Sequence, residues 1–528
     1  MSFKYIKYSI WISLLSFFAL SFYSTLTAET GQLTENLKDD SFYYLEISKN
    51  VAEGKGVTFD EVSKTNGFHP LWMGVTILLA NISSSPHHLL EYTLLTGYIL
   101  IFISSLYLLY QGSKYGIIPL SLSSLIWIRY SIPFSRSGME VSLILFFFSL
   151  LFYFCLKFNL FSGHGSHYYN ILFIGFILSL IQLTRLDSVF FCVIFVFTFF
   201  AYLTYKKSSE SILDIRVIKS TIILSLPCLF TGSLYLYYNY VTFGEVSPVS
   251  GFVKGYGSGF VNYNMIDLFL VDVSLSNLIF DVWIPFFIII AVSTYLIFIM
   301  FKKGHTESAL LSICSFAFAA TLLSYYLFFT SWPLWSWYSY PAPLIVLTVI
   351  PGLKHIPVEL PQNVKLTVGV LAVLFIFLVG SHQGLFHLDD PQGSYKVQNQ
   401  KLAMDMNTEL QGRRVAMGDR AGSFAYFYDG PVTQLEGLVG SYDTARSLLS
   451  GKVNEVLNSH GVDYVIAWAD VPENYDVYEL ETVRPDKNLP GVPEPGIEVR
   501  STNEVTRRHT PAGTIVVWEV NDHSGSNK

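Results

Sequence analysis

Two adjacent carboxylates, Asp39 and Asp40, open the stretch DDSFYYLEISKN, which follows the first apolar run of a chain otherwise built to sit in lipid. Paired acids at a membrane boundary are costly unless water, a cation or a substrate uses them. Phe42, Tyr43, Leu45, Ile47 and Val51 recur at helical spacing and the pattern stops at Gly54, so the pair sits where a helix begins. Asp is among the best N-capping residues, and one is enough for that. The other is spare, and could act as a general base or as a cation ligand.

Other residues with usable chemistry follow. Thr65-Asn66-Gly67-Phe68-His69-Pro70 reads as a tight turn, with Asn-Gly supplying a positive φ and Pro70 starting a helix. His69 would then face an anion near that helix's N-terminus, where backbone N–H groups favour phosphate. Glu140, in Ser135-Arg136-Ser137-Gly138-Met139-Glu140, could join Asp40 around one divalent cation, or simply pair with Arg136. Thr184-Arg185-Leu186-Asp187 interrupts an apolar run, and its plain reading is a hairpin closed by an Arg-Asp pair. Lys254 ends a Gly/Ser/Pro-rich loop, where it could meet a lipid phosphate. Trp335 and Tyr338 lie in SWPLWSWYSY, first of all an interfacial aromatic belt, though Trp and Tyr also stack on sugars.

The elements that must position these groups are mostly membrane helices. With 51% hydrophobic residues, 14% charged and a mean hydropathy of +0.42, the 528-residue chain is a polytopic membrane protein. Its four cysteines (Cys155, Cys192, Cys228, Cys314) fall in or beside apolar runs, without disulfide or metal-ligand spacing. Nothing resembles a basic nucleic-acid footprint. Apolar segments long enough to cross the hydrocarbon fall near 8–26, 89–110, 115–133, 138–158, 170–184, 188–205, 218–238, 283–301, 307–329, 333–350 and 366–381, about eleven spans. Leu71 to Ile82 is short and follows Pro70, so it reads as a helix lying in the interface.

Lysine and arginine decide the orientation. Only eleven spans put Lys4/Lys7, Lys114, Lys157, Lys206/Lys207 with Arg216/Lys219, Lys302/Lys303 and Lys354/Lys365 all in the cytoplasm. The N-terminus is then cytoplasmic, with an uncleaved first helix, because the Leu26-x-Ala28 cleavage site is poor. Loop 27–88, loop 239–282 and the C-terminal region lie outside. Arg129, Arg136, Glu140, Arg185 and Asp187 come out at the same rim as Asp39 and Asp40, which argues for an outward-facing site at the interface. A conduction path would spread polar groups across the membrane's thickness, and no internal repeat of the transporter kind is present.

Residues 1–383 are therefore expected to form the transmembrane catalytic domain, including loop 27–88 with its juxtamembrane helices. Residues 384–528 read as a soluble extracytoplasmic α/β domain. From Leu385 onward 21 acids face 13 Lys plus Arg, a charge of −8, so the rest of the chain, at +1, is close to neutral. Candidate strands are 413–419, 431–437, 462–468 and 514–520, with a short helix or turn over Arg420 to Phe427 and a helical pattern over Tyr442 to Ser459.

Taken together, DDSFYYLEISKN, TNGFHPLW, SGMEVS and TRLDS, in that order, resemble the GT-C superfamily of integral-membrane glycosyltransferases that use polyprenyl-phosphate sugars. Relatives include protein mannosyltransferases, aminoarabinose transferases and arabinofuranosyltransferases. The likeness covers residues 1 to about 350 in plan. A bacterial branch adds a C-terminal extracytoplasmic domain with a GDRAG-like segment, here Gly418 to Gly422.

The resemblance implies a GT-C-like fold and transfer of a sugar, a hexose or pentose, from a polyprenyl-phosphate donor. The acceptor would be an envelope glycan, glycolipid or protein on the outer face of the cytoplasmic membrane, and the anomeric centre would invert. It places the general base on the Asp39/Asp40 pair, with Asp39 favoured, a second acid at Glu140, and donor-phosphate recognition at His69. Many relatives carry Lys or Arg at that last position, so Lys254 or Arg185 is expected to supply the missing charge. A divalent cation on Asp40 and Glu140 is the one cofactor to test. The competing reading is a transporter or lipid flippase with an external sensing domain. A glycan polymerase of unrelated fold would need a large Arg-rich loop, and loop 239–282 has little basic charge.

Overall fold

The computed structural model describes residues 3–162, 167–207, 214–256, 261–262, 283–332, 334–355, 361–384, 393–481 and 496–520. A long first helix, α1 (Phe3–Leu26), leads into two short ones, α2 (Thr30–Asn36) and α3 (Asp39–Ala52), and then α4 (Pro70–Ile82). The bundle continues through α5 (Pro86–Tyr115), α6 (Ile117–Ser135), α7 (Val141–Phe158), α8 (Tyr168–Thr184), α9 (Val189–Lys207) and α10 (Ile215–Phe243). After the short α11 (Val249–Gly255) come Trp283–Lys302, Thr306–Phe329, Pro341–Leu353 and Gln362–Gly384. A helix thus stands at each expected span, and seven among the described residues are long and apolar enough to cross a membrane.

Local sequence explains the departures. The segment expected at 333–350 begins its α-helix only at Pro341, because Ser336–Ser339 form a 3-10 turn and the proline sets the first helical residue. Helix α4 has 13 residues, about 20 Å at the helical rise. That is short of the roughly 30 Å hydrocarbon thickness. It packs instead across α3, α5 and α8, which ties the first loop to the bundle.

Basic residues gather at one end of the bundle. His305, which precedes Thr306–Phe329, meets His355, which follows Pro341–Leu353, with Nε2 atoms 3.0 Å apart, and its ring lies 5.8 Å from that of Tyr115 at the end of α5. Lys114, Lys302, Lys303 and Lys354 therefore share that end. The other ends of the same two helices carry Tyr326 and Tyr340, both bonded to Asp187.

Residues 393–520 add an α/β unit. Strands β1 (Val415–Met417), β2 (Val432–Gln434), β3 (Tyr464–Trp468), β6 (Glu504–Thr510) and β7 (Gly513–Glu519) form one sheet in the order β2-β1-β3-β7-β6. β1 runs parallel to both its neighbours, and β7 is antiparallel to β3 and β6. The β4 (Val477–Glu481) and β5 (Gly496–Arg500) pair forms a separate antiparallel ribbon. The continuous helix expected over 442–459 divides into Tyr442–Leu449 and Val453–Ser459, because Gly451 takes φ +77° and ends the first. A helix over Tyr395–Leu410 and strands β4 to β6 were not read from the sequence.

This unit is bolted onto the first loop and α3. Phe42 packs at 5.6 Å from Tyr426 and 6.4 Å from Phe427, and the Tyr426 hydroxyl donates to the Pro86 carbonyl at 2.6 Å. Arg446 pairs with Glu245, and the Tyr442 hydroxyl donates to the Ser247 carbonyl. A buried ion pair joins His460 Nε2 to Asp60 at 3.4 Å. The other carboxylate oxygen accepts from Val62 N, Ser63 N and the Thr58 hydroxyl.

The Asp60 hydrogen bond raises the His460 pKa above 6.5. Burial pushes Asp60 up, but His460 and the Ser63 and Val62 N–H groups outweigh it and leave it below 3.8. The pair's stabilisation is thus complete between pH 3.8 and 6.5, and it is lost as pH rises through the higher folded value of His460. His460→Gln should lower the thermal midpoint at pH 6 and make little difference at pH 9. Equal losses at both pH values would show that the pair carries no charge.

Candidate active site

Asp39 and Asp40 are the first two residues of α3, but Lys38 is its N-cap and neither carboxylate caps it. Consecutive helical side chains diverge by about 100°. Asp39 turns toward the α/β unit, where its carboxylate accepts from Gly422 N at 3.2 Å and Ser423 N at 3.1 Å. It therefore caps the helix Ala421–Phe427 from a distant part of the chain. A side chain at Gly422 would collide with the Asp39 carbonyl, which explains the glycine. Asp40 turns the other way and lines a cleft. The sequence reading favoured Asp39 as the base; in the structure Asp39 caps the helix Ala421–Phe427, and of the two acids it is Asp40 that lines the cleft.

Burial raises the Asp40 pKa to about 6. Lys254 opposes that rise, while Asp39, Glu140 and Asp419 add to it. A carboxylate so tuned is a better proton acceptor near neutrality than one at its ordinary value.

The turn before α4 forms a second wall. Gly67 does not have a positive φ, contrary to the Asn-Gly expectation. Its lack of a side chain instead admits the carbonyl of Leu438, so the turn and the α/β unit touch backbone to backbone. His69 Nδ1 accepts from Leu186 N at 3.2 Å, which leaves the ring proton on Nε2. Burial lowers its pKa, with Glu140 opposing and Arg185 reinforcing. His69 is thus a neutral donor whose Nε2 lies 3.8 Å from Glu140.

Glu140 and Arg185 form the floor. Arg185 Nη1 donates to Glu140 at 2.7 Å, and Nη2 and Nε donate to Asp187 at 2.8 and 3.2 Å. Asp187 also accepts from the hydroxyls of Tyr326 (3.0 Å) and Tyr340 (3.2 Å). The second Glu140 oxygen accepts from the Tyr44 hydroxyl at 3.3 Å, and that hydroxyl accepts from His69 N at 3.2 Å. The hairpin pair Arg185-Asp187 is present as expected, but the guanidinium is committed to two carboxylates and is not a free anion binder. Glu140 is equally committed. Asp40 and Glu140, the two acids expected to share a cation, both line the cleft, where Glu140 already accepts from Arg185 and Tyr44. Among the described residues no three His, Cys, Asp or Glu side chains group as metal ligands.

Lys254, from α11, faces Asp40 across the cleft. Its Nζ donates to the Tyr338 hydroxyl at 3.3 Å, and among the described residues no carboxylate lies within ion-pair distance of it. Burial pulls its pKa down, but Tyr338 and Asp40 outweigh this and keep it charged. α11 is held by Asn66, whose side chain accepts from Val249 N at 2.9 Å. Tyr338 lines the cleft and lies under Arg185, 5.2 Å from the guanidinium carbon. Trp335 does not line it; it is 47% exposed and stacks at 5.8 Å behind Trp337, which does. The periodicity of an aromatic run gave no means of choosing between them.

Sequence reasoning also missed Tyr44 and the roof, Leu438 and Val439. The two roof residues sit in QLEGLVG, an apolar turn with no local mark of proximity to the membrane. The cleft holds about 630 Å³ of space not filled by atoms, part of it open to solvent. It presents a buried carboxylate, Asp40, a cation, Lys254, with no carboxylate partner among the described residues, a neutral donor and an aromatic-aliphatic lining. That combination can hold an anionic leaving group on one side and deprotonate a nucleophile on the other.

No protein-family model and no curated protein matches the sequence. Among solved structures the chain is similar to oligosaccharyltransferase AglB from Archaeoglobus fulgidus, solved with an inhibitory peptide and a dolichol-phosphate (11% identity, TM-score 0.44, covering 88% of this chain and 70% of that one). It is also similar to ArnT from Cupriavidus metallidurans (10%, 0.46, 90% and 93%). A third likeness is to arabinofuranosyltransferase AftD from Mycobacteria (13%, 0.47, 99% and 40%). These are the kinds of protein that the sequence motifs resemble. At such identities and TM-scores the likenesses carry no inference about chemistry, which rests on the cleft.

Proposed function

We propose that the chain is a GT-C-type membrane glycosyltransferase that moves a sugar from a polyprenyl-phosphate donor to a hydroxylated acceptor by single displacement. The observation that carries this is one cleft lined by both Asp40, whose pKa burial raises to about 6, and Lys254, a cation with no carboxylate partner among the described residues. Asp40 removes the proton from an acceptor hydroxyl, and that oxygen attacks the anomeric carbon. The bond to the phosphate oxygen breaks, with inversion, and polyprenyl phosphate leaves. Lys254 and the Nε2–H of His69 meet the charge growing on the phosphate, as fixed donors do for any developing oxyanion. Arg185, Glu140 and Asp187 hold His69 and Tyr338 in place.

The basic end of the bundle supports a cytoplasmic placement for Lys114, Lys302, Lys303 and Lys354. The cleft and the α/β domain, residues 384–528, then lie on the outer face of the cytoplasmic membrane. Lipid-borne donor would reach the cleft from the bilayer and acceptor from water. The sugar and the acceptor, whether envelope glycan, glycolipid or protein, are named by mass analysis of envelope glycans from cells with and without the chain. A missing residue identifies both, and an unchanged envelope removes the proposal. With those substrates, kcat/KM should rise with pH and level off above about 6, because Asp40 must be deprotonated to act. A profile flat from pH 5 to 8 excludes Asp40 as the base.

A further inference from the structure

The GDRAG segment, Gly418 to Gly422, begins the helix that Asp39 caps, so its geometry is locked to the acid pair. Arg420 carries a side chain yet takes φ +65° and ψ 20°. Fully buried Asn399 holds it there: its amide donates to the Arg420 carbonyl at 2.8 Å and to the Ser423 hydroxyl at 2.9 Å, while its oxygen accepts from Trp468 Nε1 at 2.9 Å. The guanidinium lies 4.6 Å from the Tyr395 ring and 5.4 Å from that of Trp468. This aromatic cage fixes its plane but leaves the side chain 34% exposed, and Asp419 beside it, 3.7 Å from Nε, is 55% exposed. Asp419 is close enough to act electrostatically on both Asp39 and Asp40. The structure therefore presents an oriented acid-base pair on the α/β side of the acid pair, apart from the residues that line the cleft.

We propose that Asp419 and Arg420 bind the acceptor, hydrogen-bonding the hydroxyls of a neutral sugar and directing one of them at Asp40; this rests on the transferase reading. A carboxylate beside a guanidinium fork offers acceptors and donors together, which suits vicinal hydroxyls that both give and take hydrogen bonds. The two charges offset each other, which favours a neutral polyol over a phosphate or a carboxylate. A guanidinium already ordered by two rings loses little further freedom on binding. The acceptor would enter from the α/β side, opposite Lys254.

The test is two-substrate kinetics on the full chain in lipid nanodiscs, with decaprenyl-phosphate-linked pentoses and hexoses as donors and a panel of octyl glycosides as acceptors. Arg420→Ala and Asp419→Asn should each raise the octyl glycoside KM about tenfold or more, the loss of a hydrogen bond to a charged group. The donor KM should stay unchanged, and Arg420→Lys should fall between. An acceptor KM equal to that of the unsubstituted chain in both variants, or a donor KM that rises in parallel, overturns the proposal. Exposed Asp419 keeps the test decisive if Arg420→Ala fails to fold. If the unsubstituted chain transfers sugar to no glycoside, the neutral-sugar acceptor falls while the transferase reading is decided by the envelope analysis, a result distinct from an unmoved KM in an active enzyme.

Discussion

Asp40→Asn should lower the rate of sugar transfer about 10³-fold, within the range lost when a general base is removed. Asparagine keeps the shape and removes the basic lone pair. The thermal midpoint should hold or rise, since burial already disfavours the Asp40 charge. Asp39→Asn should behave otherwise. Its amide oxygen can still accept from Gly422 N or Ser423 N, so activity should stay within about tenfold of the unsubstituted chain. Initial rates and thermal midpoints of the two purified variants separate the roles. Transfer that survives in Asp40→Asn and vanishes in Asp39→Asn would return the base to Asp39.

That distinction was out of reach of the sequence for a physical reason. Adjacent carboxylates at a helix start look alike until a partner element approaches, and the partner of Asp39 lies more than 380 residues away, at Gly422 and Ser423. Side chains whose roles follow from local chemistry were legible. The helix starting at Asp39, the short α4 after Pro70 and the Arg185-Asp187 hairpin pair could all be read from spacing and turn chemistry. Apolar length likewise gave the positions of the long helices, seven of which are long and apolar enough to cross a membrane among the described residues. Long-range features were illegible. Gly67 read as a turn glycine and is in fact a contact point for Leu438; Arg185 read as paired with Asp187, and its second partner, Glu140, lies 45 residues away. The edge strands β4 to β6 carry mixed polar patterns because one side of each faces water. Alternation there is too weak to separate strand from loop.

Arg185→Met should cost about 3–5 kcal/mol, the range seen when one member of a buried ion pair is removed. The guanidinium is 3% exposed, Glu140 is 1% and Asp187 10%, so both carboxylates would be left in a low-dielectric site without their counter-charge. A fall of about 3–5 °C in the apparent thermal midpoint follows at typical unfolding entropies for a chain of this length. Arg185→Lys should restore only part of it, because an ammonium cannot reproduce the three N–H bonds that the planar fork divides between two acids. The combined variant Arg185→Met, Glu140→Gln, Asp187→Asn removes the stranded charges and should regain much of the midpoint. It should remain inactive, since Glu140 no longer sets the electrostatics around His69 and the ring of Tyr338 loses the cation above it. Recovered stability without recovered transfer would separate the catalytic duty of this triad from its structural one. An Arg185→Met variant that melts with the unsubstituted chain would mean that water reaches the floor of the cleft.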